Sequence, residues 1–222
     1  MGVAGTLVLV VAVLVPAATV ILPEIQGEVT VGIDLGTTFS VVAVCQGGSV
    51  RVAPVDGRTT TPSAVLYRPD GSVEAVGWPA HDARADAAGR VAYDAKRVIG
   101  RPFGDGAVAE EAAALPYDVV EGEAGLAALS MPGVGGGPKA PEEVGAAVLR
   151  RLKAAAEASR TWAQTLGFRF GSATVSVPAA FTGEQRAATV RAGMAAGFRL
   201  VRVLEEPVAA ALAYGLQNGG GG

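Results

Sequence analysis

The stretch VTVGIDLGTTFSVVAVC, residues 29–45, decides how this chain begins to fold. Two apolar runs, Val29–Ile33 and Phe39–Cys45, have the length and the β-branched content of strands. Gly36 stands between them, followed by two threonines, and predicts a tight turn. We therefore expect a hairpin here, continued by a second turn over residues 46–49.

Asp34 is an acidic residue that directly follows an apolar strand. An unpaired carboxylate in such surroundings is costly, so a cation or hydrogen-bond donors must compensate it. The turn at Gly36, Thr37 and Thr38 offers hydroxyls and successive backbone amides, which make an anion-binding nest. A carboxylate beside a phosphate nest is what a Mg-nucleotide needs. Taken alone, the same pattern also fits an aspartate that only caps a hairpin.

Composition excludes several classes of protein. The 222 residues carry a formal charge of −3, which excludes a strongly basic nucleic-acid binder by bulk charge. Half of the residues are hydrophobic, which excludes disorder throughout. Cys45 and His81 are the only cysteine and histidine, so an intramolecular disulfide and a Cys/His zinc cage are impossible. A Ser/His/Asp triad would need His81, which we expect on the surface of a helix.

The first 23 residues contain no charged side chain. Roughly 20 apolar residues can span a bilayer, and about 7–15 form the core of a signal peptide. Small residues at 17–19 offer a cleavage site, although no basic residue precedes the apolar core. We predict a signal peptide or signal anchor over residues 1–23, the membrane-contacting part of the chain. The alternative is a buried helix or strand of the domain.

The middle of the chain changes from strands to helix to loop. Residues 50–55 and 64–67 predict two more strands, which extend the hairpin into a β-meander. Residues 79–100 are expected to be mostly helical, with a break at Gly89. Residues 104–141 are the least regular and are interpreted as a loop-rich subdomain.

The C-terminal part alternates helices with short buried strands. Helices are predicted from Pro141 to about Trp162, from a capping box at Thr182 to about Ala196, and from Glu206 to about Leu216. Strands are predicted at 173–177 and 200–204, and residues 218–222 form a glycine tail. Strands that alternate with helices after an antiparallel start indicate a mixed α/β sheet.

Four motifs follow one another along the chain. They are GIDLGTTFS at 32–40, DAKRVIG at 94–100, VPAAF at 177–181 with Gln-Arg at 185–186, and EEPVAAALAYGL at 205–216. Through them, residues 29–217 resemble the 70-kDa heat-shock (stress-70) chaperone family. The resemblance implies an α/β, actin-like ATPase fold, with a ribonuclease H-like mixed sheet and flanking helices. It covers the first lobe of that ATPase domain.

The resemblance also implies the nucleotide site. Asp34 would hold Mg²⁺ through water, while Gly36, Thr37 and Thr38 would bind the phosphates of ATP or ADP. These positions match the first motif, and they are the ones that the turn chemistry already singles out.

Two further pairs of residues have implied roles. Lys96 would reach the γ-phosphate and the attacking water, and Glu206 would orient water near the metal, so both would be catalytic. Pro178 and Arg186 match the family's allosteric relay between the nucleotide site and a partner domain. Such groups act in phosphoryl transfer mainly by position and charge.

The chain departs from the family pattern at four positions near this site. Phe39 and Ala180 replace tyrosines, Glu205 replaces an asparagine, and Val208 replaces a threonine. Hydroxyls and contact area are lost, and a negative charge is added close to a phosphate site. We expect weaker or slower chemistry than in a standard family member.

The apolar leader and Ala180 make the chain most similar to the microsomal, ATPase-core-only branch of the family, with a lumenal chaperone as the other candidate. We therefore expect the endoplasmic reticulum or microsomal lumen as its location. ATP, J-domain proteins and exchange factors are the implied partners, and nucleic acid is not. The 222 residues contain no pattern of the second lobe, so we expect this chain alone to bind ATP poorly and to be inactive.

Two other functions stay open. A truncated first lobe could be a non-catalytic module that docks a chaperone partner. The chain could also be a lobe of a sugar or acetate kinase with the same actin-like fold. The motifs at 94–100 and 205–216 disfavour the kinase alternative, because they are stress-70 patterns.

Overall fold

The structure is a computed structural model and describes residues 28–46, 49–159 and 169–218. The predictions for residues 1–23 and 219–222, for the middle of the turn at 46–49 and for the helix end near Trp162 lie outside these residues. Asn218, predicted as the start of the glycine tail, is the last residue of a helix. Within the described ranges, no helix has the length and apolar character that crossing a membrane requires.

A mixed sheet of six strands forms the centre of the fold. Its strands are β1 (Glu28–Leu35), β2 (Phe39–Gln46), β3 (Ser49–Val52), β4 (Thr61–Pro62), β10 (Arg169–Val177) and β11 (Leu200–Glu205). The order is β11-β10-β1-β2-β3, with β4 paired to the start of β2. β10 is parallel to both β1 and β11, whereas β2 is antiparallel to β1 and β3. The predicted mixed sheet and hairpin are confirmed.

The remaining elements surround this sheet. The strands β5 (Val65–Tyr67), β6 (Val73–Val76) and β7 (Val91–Ala92) form a small sheet, and β8 (Asp118–Glu121) and β9 (Ala127–Ser130) form a hairpin. The helices are α1 (Trp78–Asp82), α2 (Gly106–Ala112), α3 (Pro141–Ala158), α4 (Gly183–Ala195) and α5 (Glu206–Asn218). Short 3₁₀ turns lie at Ala88–Arg90, Ala95–Arg97 and Glu123–Gly125.

Helices cover both faces of the central sheet. On one face, the apolar stripe of α3 is buried against β1, β2 and β10; it includes Val144, Val148 and Leu152. On the other face, Ala209 of α5 packs against Leu204 of β11. Successive side chains of a strand point to opposite faces of the sheet. In agreement with this, Val201 of β11, three positions before Leu204, packs in the cluster on the α3 side.

The predicted helix over residues 79–100 is wrong for most of its length. Only α1 at the start is an α-helix; the chain then forms two 3₁₀ turns around the short strand β7. β7 exists because Val91 and Ala92 pair with Leu66 and Val65 of β5. Asp94 then has a left-handed backbone, with a φ of 58°, which ends any helical run.

Two further predictions need correction. The meander ends after β3, because residues 65–67 join the small sheet and not the central one. The stretch 104–141 is more regular than predicted, since it contains α2 and the β8–β9 hairpin. His81 lies half-exposed on α1, as predicted, with its Nδ1 3.2 Å from Asp82.

Candidate functional site

The parallel strands β1, β10 and β11 end side by side at one edge of the central sheet. Asp34 of β1 is in register with Ser176 of β10, and Ser176 is in register with Leu204 of β11. Open α/β sheets bind ligands outside the carboxyl ends of their strands. The residues that the sequence singled out lie around this edge.

Asp34 is almost fully buried, with 5% of its surface exposed. Its Oδ1 accepts a hydrogen bond of 2.5 Å from the Ser176 hydroxyl. Burial raises the pKa of the Asp34 carboxyl; the Ser176 hydrogen bond and the charge of Lys96 oppose this, and the charge of Glu206 adds to it. The pKa shift is upward because desolvation is the largest cause. A cation near Asp34 would therefore stabilise the ionised carboxylate.

The turn between β1 and β2 requires glycine at position 36. A Cβ atom there would lie 2.1 Å from the Phe39 carbonyl oxygen, which no side chain can occupy. Ser63 supports the turn: its hydroxyl donates to the Gly36 carbonyl at 2.7 Å, and its amide donates to the Thr38 carbonyl at 2.8 Å. Thr37 is half-buried and Thr38 is exposed. The turn is thus held in one shape with its threonines at the surface of the site.

Ser63 and Ser176 are the two residues of this region that sequence analysis missed. Each stands beside or within an apolar run, at 64–67 and 173–177. Buried hydroxyls almost always have a hydrogen-bond partner, so a serine in such a run is a usable signal. The sequence does not reveal which residue the serine bonds to, because both partners lie far away in the chain.

Lys96 meets Glu206 although 110 positions separate them. Lys96 Nζ donates to Glu206 Oε1 at 3.1 Å, and only 9% of the lysine side chain is exposed. The same nitrogen lies 5.5 Å from the centre of the Phe181 ring. Glu206 is the first residue of α5, where the helix dipole favours a negative side chain. The structure therefore brings the two candidate catalytic residues together.

Gly100 fixes the segment that carries Lys96 against helix α4. Its φ is 62°, and a Cβ atom would lie 2.9 Å from both the Gln185 Cα and the Glu184 carbonyl oxygen. Only glycine permits this close approach of two backbones. Helix α4 starts at the predicted capping box, in which Thr182 Oγ1 accepts from the Gln185 amide.

Pro178 and Arg186 lie beside the Lys96–Glu206 pair. Pro178 follows the last residue of β10, and its carbonyl accepts from the Phe181 amide at 3.1 Å. Arg186 of α4 donates to the Phe181 and Ala179 carbonyl oxygens, and forms an ion pair with Glu205 at 3.0 Å. The structure thus places Pro178 in the turn 178–181, and Arg186 on α4 in contact with that turn.

A crevice opens between the glycine turn and Lys96. It is lined by residues of α3 and by Leu35, Gly36, Thr37, Ser63 and Lys96. The site combines a buried carboxylate, a half-exposed carboxylate and a lysine beside a tight turn. Among the described residues, no group of three or more His, Cys, Asp or Glu could hold a metal ion. The arrangement can pair a cation with Asp34 and an anion with Lys96 and the turn.

Comparison with known proteins identifies the relatives of this arrangement. A protein-family model described as Hsp70 protein matches residues 30–221. The chain belongs to the Hsp70 family. It is 44% identical over 191 residues to the "Chaperone protein DnaK" of Deinococcus radiodurans, and 43% identical over 191 residues to that of Deinococcus deserti. Each match covers 86% of this chain and 28% of the relative.

Membership of the Hsp70 family confirms the predicted fold class. The mixed sheet with flanking helices is part of the actin-like ATPase domain of that family. The chain spans about a quarter of the length of the DnaK relatives, namely 28%. Both relatives are bacterial, and nothing in these matches supports the predicted microsomal branch.

Proposed function

We propose that this chain is the ATP-binding first lobe of an Hsp70-type chaperone ATPase. The observation that carries the proposal is the contact of Lys96 with Glu206 next to Asp34 and the glycine turn. Four motifs that are far apart in the chain supply one polar site at the ends of β1, β10 and β11. A structural ion pair alone would not need the buried Asp34 carboxylate beside it.

The residues present fit a Mg-nucleotide. The tight turn at Gly36 lies at the same edge of the sheet as Asp34. Burial raises the pKa of the Asp34 carboxyl although the charge of Lys96 opposes this, so a bound cation would stabilise its ionised form. Asp34 would hold Mg²⁺ through water, and Thr37 and Thr38 would bind phosphate oxygens. Bound Mg-ATP supplies the phosphoryl group that is transferred to water.

The chain's own side chains would act by position and charge. Lys96 is held by Glu206 and by the Phe181 ring, so its ammonium group is in place before a phosphate arrives. Glu206 is half-exposed and can accept a proton or orient a water molecule at the mouth of the site. Ser176 holds the Asp34 carboxylate in a single orientation.

The departures from the family pattern support the expectation of weak binding. Phe39 packs its ring 5.9 Å from the Trp78 ring, so this side chain contributes to packing without a hydroxyl at the site. Ala180 is exposed and offers little contact area. A small contact area gives a low affinity. We propose affinity for ATP in the roughly millimolar range for this chain alone.

Binding can be measured by saturation-transfer NMR of Mg-ATP with the chain and with matched lysine variants. We expect saturable binding that weakens about ten-fold in Lys96→Ala, because a phosphate contact of roughly 1.4 kcal/mol is lost. Lys153→Ala is the control: Lys153 Nζ also pairs with a glutamate at 3.1 Å and lies 5.7 Å from the Phe198 ring, but on α3.

Two outcomes would contradict the proposal. If ATP produces no saturable signal, or if Lys153→Ala weakens it as much as Lys96→Ala, the non-catalytic docking module is the better function. Sub-micromolar binding by the monomer would contradict the expected low affinity. The sugar or acetate kinase loses its support, because the chain belongs to the Hsp70 family.

The cellular assignment is proposed separately. Location in the endoplasmic reticulum or microsomal lumen, and contact with J-domain proteins and exchange factors, follow from the leader and from the resemblance. The bacterial origin of both relatives does not favour the endomembrane part. Residues 1–23 fused to a soluble reporter and translated with microsomes would test it. Protection of the reporter from protease is the expected result, and full digestion without detergent would contradict it.

A further inference from the structure

A second ion pair lies directly beside the Lys96–Glu206 pair. Glu205 is the last residue of β11 and Glu206 the first residue of α5, and each carboxylate has its own cation. Glu205 Oε1 accepts from Arg186 Nη2 at 3.0 Å, just as Glu206 Oε1 accepts from Lys96 Nζ at 3.1 Å. Two adjacent carboxylates are thus divided between two cations on different elements.

Arg186 uses the rest of its guanidinium group to hold a turn. Its Nε donates to the Phe181 carbonyl at 3.0 Å, and its Nη2 also donates to the Ala179 carbonyl at 3.1 Å. The turn 178–181 is closed by its own bond from the Phe181 amide to the Pro178 carbonyl. The planar fork of arginine can serve these acceptors together, which a lysine could not do.

The turn 178–181 places the Phe181 ring next to Lys96. The ring centre lies 5.5 Å from Lys96 Nζ, within the range of a cation–π contact. The position of this ring depends on the backbone of the turn, and the backbone depends on Arg186. A continuous chain of contacts therefore runs from Glu205 through Arg186 and Phe181 to Lys96.

We infer that Glu205 is a positioning residue, whose ion pair with Arg186 fixes the turn 178–181 and thereby the Phe181 ring against Lys96. A charged acceptor strengthens the bond from an arginine and limits the directions in which the guanidinium can turn. The asparagine that the family pattern has here is shorter by one methylene group and carries no charge. The consequence for catalysis rests on the proposed function of Lys96, whereas the positioning itself does not.

Two NMR signals of the 222-residue chain report this positioning without any nucleotide. One is hydrogen exchange of the Phe181 amide, which is bonded to the Pro178 carbonyl. The other is the chemical shift of the Lys96 Cε group, which senses the ring current of Phe181. In Glu205→Ala we expect exchange roughly three-fold faster, typical of losing a partly exposed ion pair, and a changed Lys96 shift.

Matched variants separate positioning from a general loss of charge. Glu157→Ala is the control, because Glu157 also pairs with a basic side chain and is as exposed, 41% against 40% for Glu205. Glu205→Gln keeps the length and a neutral acceptor, so it should restore most of the Phe181 protection. High salt should reduce the difference between the wild-type chain and Glu205→Gln, because salt screens the charge.

The inference is overturned if Glu205→Ala leaves both signals unchanged, or if Glu157→Ala changes them equally. It is also overturned if Glu205→Gln behaves as Glu205→Ala does. If Glu205→Ala fails to fold, the salt dependence of Glu205→Gln decides: a Phe181 exchange difference from the wild-type chain that is present at low salt and vanishes at high salt supports the inference, and no difference at low salt overturns it. A positive result with no detectable ATP binding would support the positioning and contradict the proposed function, so the two can fail separately.

Discussion

The buried Asp34 carboxyl lowers the free energy of unfolding when it is ionised. Because burial raises its pKa above the unfolded value, the folded chain binds a proton more tightly than the unfolded chain does. Its contribution to stability is therefore present at low pH and is lost as the pH rises through the raised pKa. Above that raised pKa the ionised carboxylate destabilises the fold.

We predict that Asp34→Asn stabilises the chain at pH 7 by roughly 1 kcal/mol, or about 2–4 °C in Tm. The amide oxygen can still accept from the Ser176 hydroxyl, while the buried charge is removed. Thermal unfolding from pH 4 to pH 8 measures the effect, and the gain should shrink toward low pH. The exposed Asp118→Asn is the control. A loss of stability at pH 7 in Asp34→Asn would contradict the prediction.

The outcome for single residues shows what a sequence pattern can predict about a site. Asp34, Lys96 and Glu206 stand in motifs whose charged residue types predict a polar site, and the structure brings them together. No local sequence pattern predicts the roles of Ser63 and Ser176. Their role depends on partners 27 and 142 positions away, and only the folded chain specifies those distances.

The turn at Gly100 and helix α4 form one unit that presents Lys96. We predict that Gly100→Ala destabilises the fold by about 2–4 kcal/mol, because it adds both left-handed strain and a backbone overlap at 2.9 Å. Gly57→Ala is the matched control, since Gly57 has a φ of 75° but nothing within 4 Å of the added Cβ. Urea unfolding of both variants separates the effect of the backbone overlap from that of the left-handed strain. Equal losses of stability in the two variants would contradict the prediction.

The failures at the level of elements have a common physical cause. The residues 79–100 are rich in alanine and look helical locally, yet β7 forms because Val91 finds Leu66 on β5. The β8–β9 hairpin likewise depends on pairing between two short, weakly patterned segments. By contrast, α3 and α4 begin at Pro141 and Gly183, where the sequence predicts them, because an apolar stripe and a capping box are local signals.

The molecule as a whole has an apolar face on α5. Val208 and Leu212 are 43% and 41% exposed, and they line a shallow groove with Pro207, Ala211 and Gly215. Ala209 lies on the opposite side of the same helix and is fully buried, at 0% exposed. Helix α5 therefore has one side that supports the fold and one side that does not.

We predict that Leu212→Gln changes the free energy of unfolding by less than about 1 kcal/mol and lowers binding of the dye ANS. Ala209→Gln should cost about 1–3 kcal/mol or more, because the larger side chain overfills a packed site. Urea unfolding and dye fluorescence of the two variants measure both effects. Equal destabilisation by the two substitutions would contradict this division of the helix.

The hydrogen bond from Ser176 to Asp34 joins residues that are 142 positions apart. Parallel pairing of β1 with β10 needs all of the intervening chain, so closure of this large loop must precede the site. At about 5–20 residues per second, a ribosome needs roughly 7–30 s to make that interval. During that time the side of β1 that β10 will cover is an open strand edge, able to pair with other chains. We therefore expect this chain, although it belongs to a chaperone family, to pass through an aggregation-prone stage during its own synthesis that ends when β10 pairs with β1 and the site forms.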